Sequence, residues 1–431
     1  MFDHKRHAIV ISVLAAVLLA VAMKPAAGQP LDPPRAGILD VGMARQSLRI
    51  TMATEGLEGS QADPPIVTVS VWLDGVPIRA ALPLIHMPSR FAMDIDLPAG
   101  VVRVGGVAVG RFAPVPPFRE NLRFPVEVTV RRGPLVATAR RTATILLPTV
   151  IVPGYLNEED GPSQAVLTVF RGHGYTDTGA ARNVFWFTYP SRQITLPEGA
   201  QALAAYVRRV VLPATYAASV NIVGYSLGGL MARWNVAYDV DGWDTLVNRL
   251  VLVGVPNEGT VIAYLGSHAP SALPASGLGR TPAARSFMPT FPFWRAAPTL
   301  PWSMPPDAQN ALLAGLNARA IPPDIRIYLF YGSHDPRDAA GPQTSAGITG
   351  VLPGATLSYG AGDGMVLAAS AQGLPIRGGK GVPGLIDRAV LRVDLGAVYH
   401  TRLLDAAADR IAGALLDRFA HRVDDWTPHS P

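Results

Sequence analysis

The chain contains no cysteine and only three lysines, Lys5, Lys24 and Lys380. The first absence excludes disulfides, thiol nucleophiles, cysteine metal ligands and a lipid-modified cysteine. The second leaves arginine to supply nearly all the positive charge behind a net +5. The arginines are scattered, and the pairs Arg131-Arg132 and Arg140-Arg141 fall in alternating segments where a solvated face accounts for them. No basic stripe interleaved with aromatics exists, so nucleic acid is not an expected partner. Charged residues make up 16% and hydrophobic ones 49%, a balance that argues for a well-buried globular chain over a disordered one.

Long apolar runs are also scarce. The N-terminal stretch 8–23 is uncharged, follows Lys5, Arg6 and His7, and leads into Ala26-Ala27-Gly28. It is short for a spanning helix, which needs about 20 residues. It reads as an export signal over residues 1–28, cleaved near Gly28, with a retained anchor as the alternative. Export points to a secreted, periplasmic or cell-surface protein. Without disulfides such a protein depends on core size, which 431 residues permit. No His-Glu-x-x-His zinc pattern and no phosphate-binding glycine loop occurs. The acidic run Asp239-Val240-Asp241-Gly242-Trp243-Asp244 lacks the spacing of an EF-hand and reads as a solvated loop. Neither a metal nor a cofactor is expected.

Two grammars divide the rest. From about residue 47 to 147 apolar side chains recur at every second position, as in Arg90-Phe91-Ala92-Met93-Asp94-Ile95-Asp96-Leu97. Turn residues such as Asp74-Gly75 and Gly105-Gly106 separate the runs. Several short strands with one polar face predict an all-β domain over 38–147, a sandwich of immunoglobulin-like size. From residue 149 strand and helix alternate, which predicts a mostly parallel sheet covered by helices over 148–423. Strands are expected at 150–152, 184–187, 219–224, 250–253, 325–330 and 389–393. Helices are expected at 163–170, 199–211 and from 401, the last burying Leu404, Ala408, Ile411 and Leu415. Residues 257–323 interrupt the alternation with a run rich in Pro, Met, Phe and Trp.

The segment Ser219-Val220-Asn221-Ile222-Val223-Gly224-Tyr225-Ser226-Leu227-Gly228-Gly229-Leu230 carries Gly-x-Ser-x-Gly between a β-branched run and a helix-like stretch. That context marks a nucleophile elbow, in which glycines relieve the crowding around a serine on a sharp turn. A serine hydroxyl needs a base within hydrogen-bond reach and an acid to orient it. In the α/β-hydrolase order of Ser, then Asp or Glu, then His, His400 fits, between the last strand and the last helix. His173 and His268 break the order, and His334 is a further competitor. The acid is Asp363, in Gly360-Ala361-Gly362-Asp363-Gly364-Met365-Val366, or Asp335, in Gly332-Ser333-His334-Asp335-Pro336. Oxyanion donors are expected from the amide of Leu227 and from that of Tyr155, with Leu156 next, in the loop after the first parallel strand. His173-Gly174, which follows a helix instead, is not expected to serve there.

These segments resemble the lecithin:cholesterol acyltransferase-like lipase family over about residues 149–420. Val253-Gly254-Val255-Pro256-Asn257-Glu258-Gly259-Thr260 is similar to its Pro-Asn-x-Gly-[ST] segment, and Phe330-Tyr331-Gly332 to its aromatic-Tyr-Gly strand end. Gly362-Asp363-Gly364-Met365-Val366 resembles its acid motif, Tyr399-His400-x-x-Leu403-Leu404 its histidine, and Arg285-Ser286-Phe287-Met288-Pro289 is a fainter echo. The cysteines of secreted animal members are absent, and Tyr155 stands where members often carry a smaller or aliphatic residue. The resemblance implies an α/β-hydrolase acting on lipid or other acyl esters and favours Asp363 as the acid.

Residues and resemblance together set the expectation of an exported serine esterase or lipase that forms an acyl-enzyme at Ser226. Acyl transfer to an alcohol is the alternative within the same chemistry. A non-catalytic surface-binding protein on a degenerate hydrolase fold is the alternative of another class, and it should have lost one of the three residues. The insert 257–323, with Phe287, Met288, Phe291, Phe293, Trp294, Trp302 and Met304, reads as an apolar lid able to touch a lipid surface, or as a structural cap.

Overall fold

A computed structural model describes residues 35–44, 46–55, 66–73, 76–83, 90–132, 135–155, 161–260, 263, 281–282, 310–333, 361–376, 380–387 and 389–416. The expected export signal, most of the insert 257–323, and Leu156, His268, His334 and Asp335 lie outside them. Among the described residues no helix is long and apolar enough to cross a membrane.

The first nine strands are β1 (Arg35–Ala44), β2 (Ser47–Glu55), β3 (Ile66–Leu73), β4 (Val76–Pro83), β5 (Arg90–Asp96), β6 (Val101–Val104), β7 (Val107–Arg111), β8 (Leu122–Arg132) and β9 (Leu135–Ile145). They form two antiparallel sheets, ordered β1-β2-β5-β6-β7 and β4-β3-β8-β9. Period two decides what each sheet buries. Leu48, Ile50 and Met52 of β2, Phe91, Met93 and Ile95 of β5, Val67, Val69 and Val71 of β3, and Val126, Val128 and Val130 of β8 meet in one apolar cluster. The alternate positions of β5, Ala92, Asp94 and Asp96, stay half-buried.

The remaining strands, β10 (Thr149–Val152), β11 (Val184–Trp186), β12 (Val220–Tyr225), β13 (Val247–Val253), β14 (Arg326–Tyr331) and β15 (Leu391–Asp394), form one sheet ordered β11-β10-β12-β13-β14-β15. Every neighbouring pair is parallel. All six residues of β12 are buried, as a strand covered on both faces requires. Its side chains divide by parity: Val220 and Ile222 join one core with α2 (Leu196–Tyr206) and α3 (Leu227–Ala237). Val223 and Tyr225 join the opposite core with α1 (Gln164–Gly172) and α4 (Leu403–Leu415). Asn121, just ahead of β8, ties the two regions together, donating to the Leu415 carbonyl at 2.8 Å and accepting from the Leu147 N–H at 2.8 Å.

Local signals set the helix starts. Ser163 caps α1 by accepting from the Val166 N–H at 3.1 Å. Thr195 and Glu198 form a reciprocal capping box on α2, which therefore starts at Leu196, ahead of the expected 199, and runs into a π-helical turn over Val207–Val211. At the C-terminal end a 3-10 turn, His400–Arg402, precedes α4. Leu403, Ala407, Ala408, Ile411 and Leu415 are buried, and Leu404 is left half-buried.

Candidate active site

Ser226 occupies the turn between β12 and α3 with φ 52° and ψ −121°. A non-glycine residue at positive φ is uncommon and costs about 1–3 kcal/mol, so its surroundings must impose it. The Ser226 N–H donates to the Val253 carbonyl at 2.9 Å, and its own carbonyl accepts from Gly229 at 3.0 Å. A Cβ on Gly224 would lie 2.5 Å from the Gly229 Cα, and one on Gly228 would collide with the carbonyl oxygens of Val152 and Pro153. The two motif glycines thus let the elbow close and let α3 start directly against the end of β10.

Asp363 and His400 meet beyond β14 and β15. The Asp363 Oδ2 lies 2.7 Å from the His400 Nδ1, with side chains 2% and 6% exposed. Its Oδ1 accepts from the main-chain N–H groups of Met365 at 3.0 Å and Val366 at 2.7 Å. The His400 N–H donates to the Asp363 carbonyl at 2.9 Å. A carboxylate only accepts, so Nδ1 carries the proton in this pair and Nε2 of the neutral ring is left as a base.

Two further residues hold the imidazole. Tyr225, adjacent to the nucleophile candidate, stacks on it with ring centroids 5.1 Å apart and donates its hydroxyl to the His400 carbonyl at 2.8 Å. Burial, followed by the charges of Asp363 and Asp405, pushes the Tyr225 phenol up, so it remains a donor. Gly254, at φ 56°, passes so close that a Cβ there would lie 3.1 Å from the imidazole Nδ1 and Cε1.

The loop after β10 lies against the serine. A Cβ on Gly154 would be 2.9 Å from the Ser226 Cβ, and the Tyr189 hydroxyl pins the loop by donating to the Pro153 carbonyl at 2.9 Å. Tyr155 follows, its hydroxyl accepting from the Thr281 hydroxyl at 3.2 Å. Leu227 is the first residue of α3, where a helix leaves its N–H groups without an internal acceptor.

Ser226, Asp363 and His400 follow β12, β14 and β15 in the expected order. His173 sits at the end of α1, with its Nε2 2.8 Å from Asp409 Oδ1 on α4. The Asp239 side chain accepts from the Asp244 N–H at 3.2 Å within the acidic turn after α3. Among the described residues no group of three or more His, Asp or Glu side chains is arranged to hold a metal ion. Tyr225 and Gly154 also border His400 and Ser226, though neither is among the residues the sequence marks as catalytic candidates. Gly154 stands two residues past the end of β10, beside the Tyr155 expected as an oxyanion donor, whereas nothing local marks Tyr225.

Neither a family model nor a curated protein matches the chain. Solved structures with a similar fold include a lipase of Bacillus licheniformis, BlEst2, at 16% identity and TM-score 0.41, covering 63% of this chain and 91% of that one. Lipase B of Aspergillus fumigatus is similar at 17% identity and TM-score 0.29, over 66% of this chain and 65% of that one. The Pyrococcus furiosus esterase Pf2001 is similar at 12% identity and TM-score 0.31, over 70% of this chain and 99% of that one. These three are lipases and esterases at low sequence identity, and likeness of this degree carries no function across.

Proposed function

We propose that this chain is a serine hydrolase of carboxylic esters. The observation that carries the reading is the buried Asp363–His400 pair at 2.7 Å, beyond the same sheet that presents Ser226 on a positive-φ turn. Ser226 Oγ attacks the ester carbonyl while His400 Nε2 takes its proton, and Asp363 stabilises the imidazolium that results. The amides of Leu227 and Tyr155 receive the developing oxyanion. His400 returns the proton to the leaving alcohol, and water, activated by the same base, releases the acid from the acyl-enzyme. A degenerate, non-catalytic fold would have no reason to retain this pair or the strain at Ser226.

The finer parts of the reading rest on sequence. The motif segments at 253–260, 330–332, 362–366 and 399–404 support a place near the lecithin:cholesterol acyltransferase-like lipases and an acyl lipid as substrate. The two antiparallel sheets read as an immunoglobulin-like sandwich ahead of the hydrolase domain. Residues 1–28 read as an export signal, and the apolar insert 257–323 as the wall that meets the acyl chain. Kinetics on a short-chain aryl ester test the core of this. Ser226→Ala and His400→Ala each remove several orders of magnitude in kcat, and the double variant loses little more, because the residues act as one unit. Independent, additive losses would contradict the triad.

A further inference from the structure

Seven positions after Ser226, on α3, Arg233 is 1% exposed and carries a charge inside the protein. Burial pushes its pKa down to about 10, partly offset by the charge of Glu258. A buried guanidinium is costly unless it is well bonded. Its Nη1 donates to Asn257 Oδ1 at 2.7 Å and its Nη2 to Asn317 Oδ1 at 2.9 Å. Asn317 Nδ2 donates back to the Asn257 carbonyl at 2.8 Å, and Asn257 Nδ2 donates to the Ala371 carbonyl at 2.8 Å. The Glu258 N–H donates to Ser370 Oγ at 3.0 Å, and that hydroxyl donates to the Gly259 carbonyl at 2.9 Å. The segment 257–260 is therefore held on one side by the nucleophile helix and on the other by residues that follow the acid.

The last link of this network lands on the acid loop itself. The Thr260 hydroxyl donates to the Met365 carbonyl, and the Met365 N–H donates to Asp363 Oδ1. A single residue, Met365, thus has its carbonyl held by Thr260 and its N–H committed to the carboxylate that faces His400. We propose that Thr260 is a positioning residue: its hydroxyl, on a segment anchored to the nucleophile helix through Asn257 and Arg233, fixes the turn that aims Asp363 at His400. The proposal rests on the reading of Ser226, Asp363 and His400 as a triad. It accounts for a hydroxyl-bearing residue at the end of Pro256-Asn257-Glu258-Gly259-Thr260. A purely structural staple would instead show its loss in folding and not in turnover.

Thr260→Val keeps the shape and removes the donor, whereas Thr260→Ser keeps the donor and removes a methyl group. On a short-chain aryl ester, Thr260→Val is expected to lower kcat per folded molecule about 10–100-fold with KM nearly unchanged, as small misplacements of catalytic groups do. Thr260→Ser is expected to restore most of that loss. If Thr260→Val does not fold, Thr260→Ala against Thr260→Ser, read at a temperature where both are folded, makes the same comparison. Unchanged kcat in Thr260→Val, a loss confined to thermal stability, or equal losses in the serine and valine variants would each overturn the proposal. Ser226→Ala, measured alongside, separates the two levels. If it abolishes turnover while Thr260→Val does not alter kcat, only the positioning role falls. If Ser226→Ala retains wild-type turnover, the triad reading falls and takes this proposal with it.

Discussion

Asp363 and His400 are joined twice, by the side-chain contact at 2.7 Å and by the His400 N–H returning to the Asp363 carbonyl at 2.9 Å. The backbone bond matters as much as the side-chain one. It fixes the distance between two loops that arrive from different strands, so the imidazole has little freedom to swing away from its acid. The two main-chain donors to Asp363 Oδ1 hold the carboxylate from behind.

Asp363→Asn should therefore leave the fold intact and lower kcat by about 10³–10⁴-fold, since an amide facing Nδ1 disfavours the tautomer that leaves Nε2 as base. Asp335→Asn should retain most activity. A large loss in Asp335→Asn with little in Asp363→Asn would move the acid to the earlier loop.

The Tyr225 phenol predicts a pH effect on stability. Its pKa is raised on folding above the ordinary value of 10.0. The resulting stabilisation is intact below that pH and is lost as pH rises from there toward the folded value. Thermal unfolding midpoints should fall as pH rises past about 10, and Tyr225→Phe should fall less steeply. Tyr206, Tyr216 and Tyr331 are raised by burial as well, so part of the slope should survive the substitution. An identical slope in Tyr225→Phe would show that its hydroxyl plays no part.

Gly154→Ala tests the loop beside the serine. The added methyl would meet the Ser226 Cβ at 2.9 Å and the Tyr225 ring at 3.2 Å, so the loop or the serine must shift. Turnover should drop roughly 10-fold or more, in line with the cost of misplacing reacting groups. Far-ultraviolet circular dichroism should stay unchanged. Full activity in the variant would mean that this loop is not fixed against Ser226.

The insert makes a prediction about substrate. Trp294→Ser or Phe291→Ser should raise KM for long-chain esters more than for acetates, because an apolar wall contributes roughly 25 cal/mol per Å² of acyl surface it removes from water. Equal losses on both substrates would make the segment a structural cap.

How much of this could be read in advance followed from the range of each signal. Ser226, Asp363 and His400 stand out as candidates because each sits in its own glycine-marked or helix-adjacent segment, and the structure brings the last two within 2.7 Å of one another. The strands of the first sheets were legible because period-two burial is written directly in runs such as Val67, Val69 and Val71. Tyr225 was not, because its partner lies 175 positions away and no local pattern announces that contact. On α4, Ala408, Ile411 and Leu415 are buried as their helical spacing implies, and Leu404 is half-buried against the same core.

The central claim is that Ser226 is an activated nucleophile, and covalent labelling reads it directly. A fluorophosphonate probe followed by peptide mass spectrometry should place one adduct on Ser226, and labelling should vanish in Ser226→Ala and slow severely in His400→Ala. A folded protein that fails to react, or an adduct on any other residue, would contradict the account.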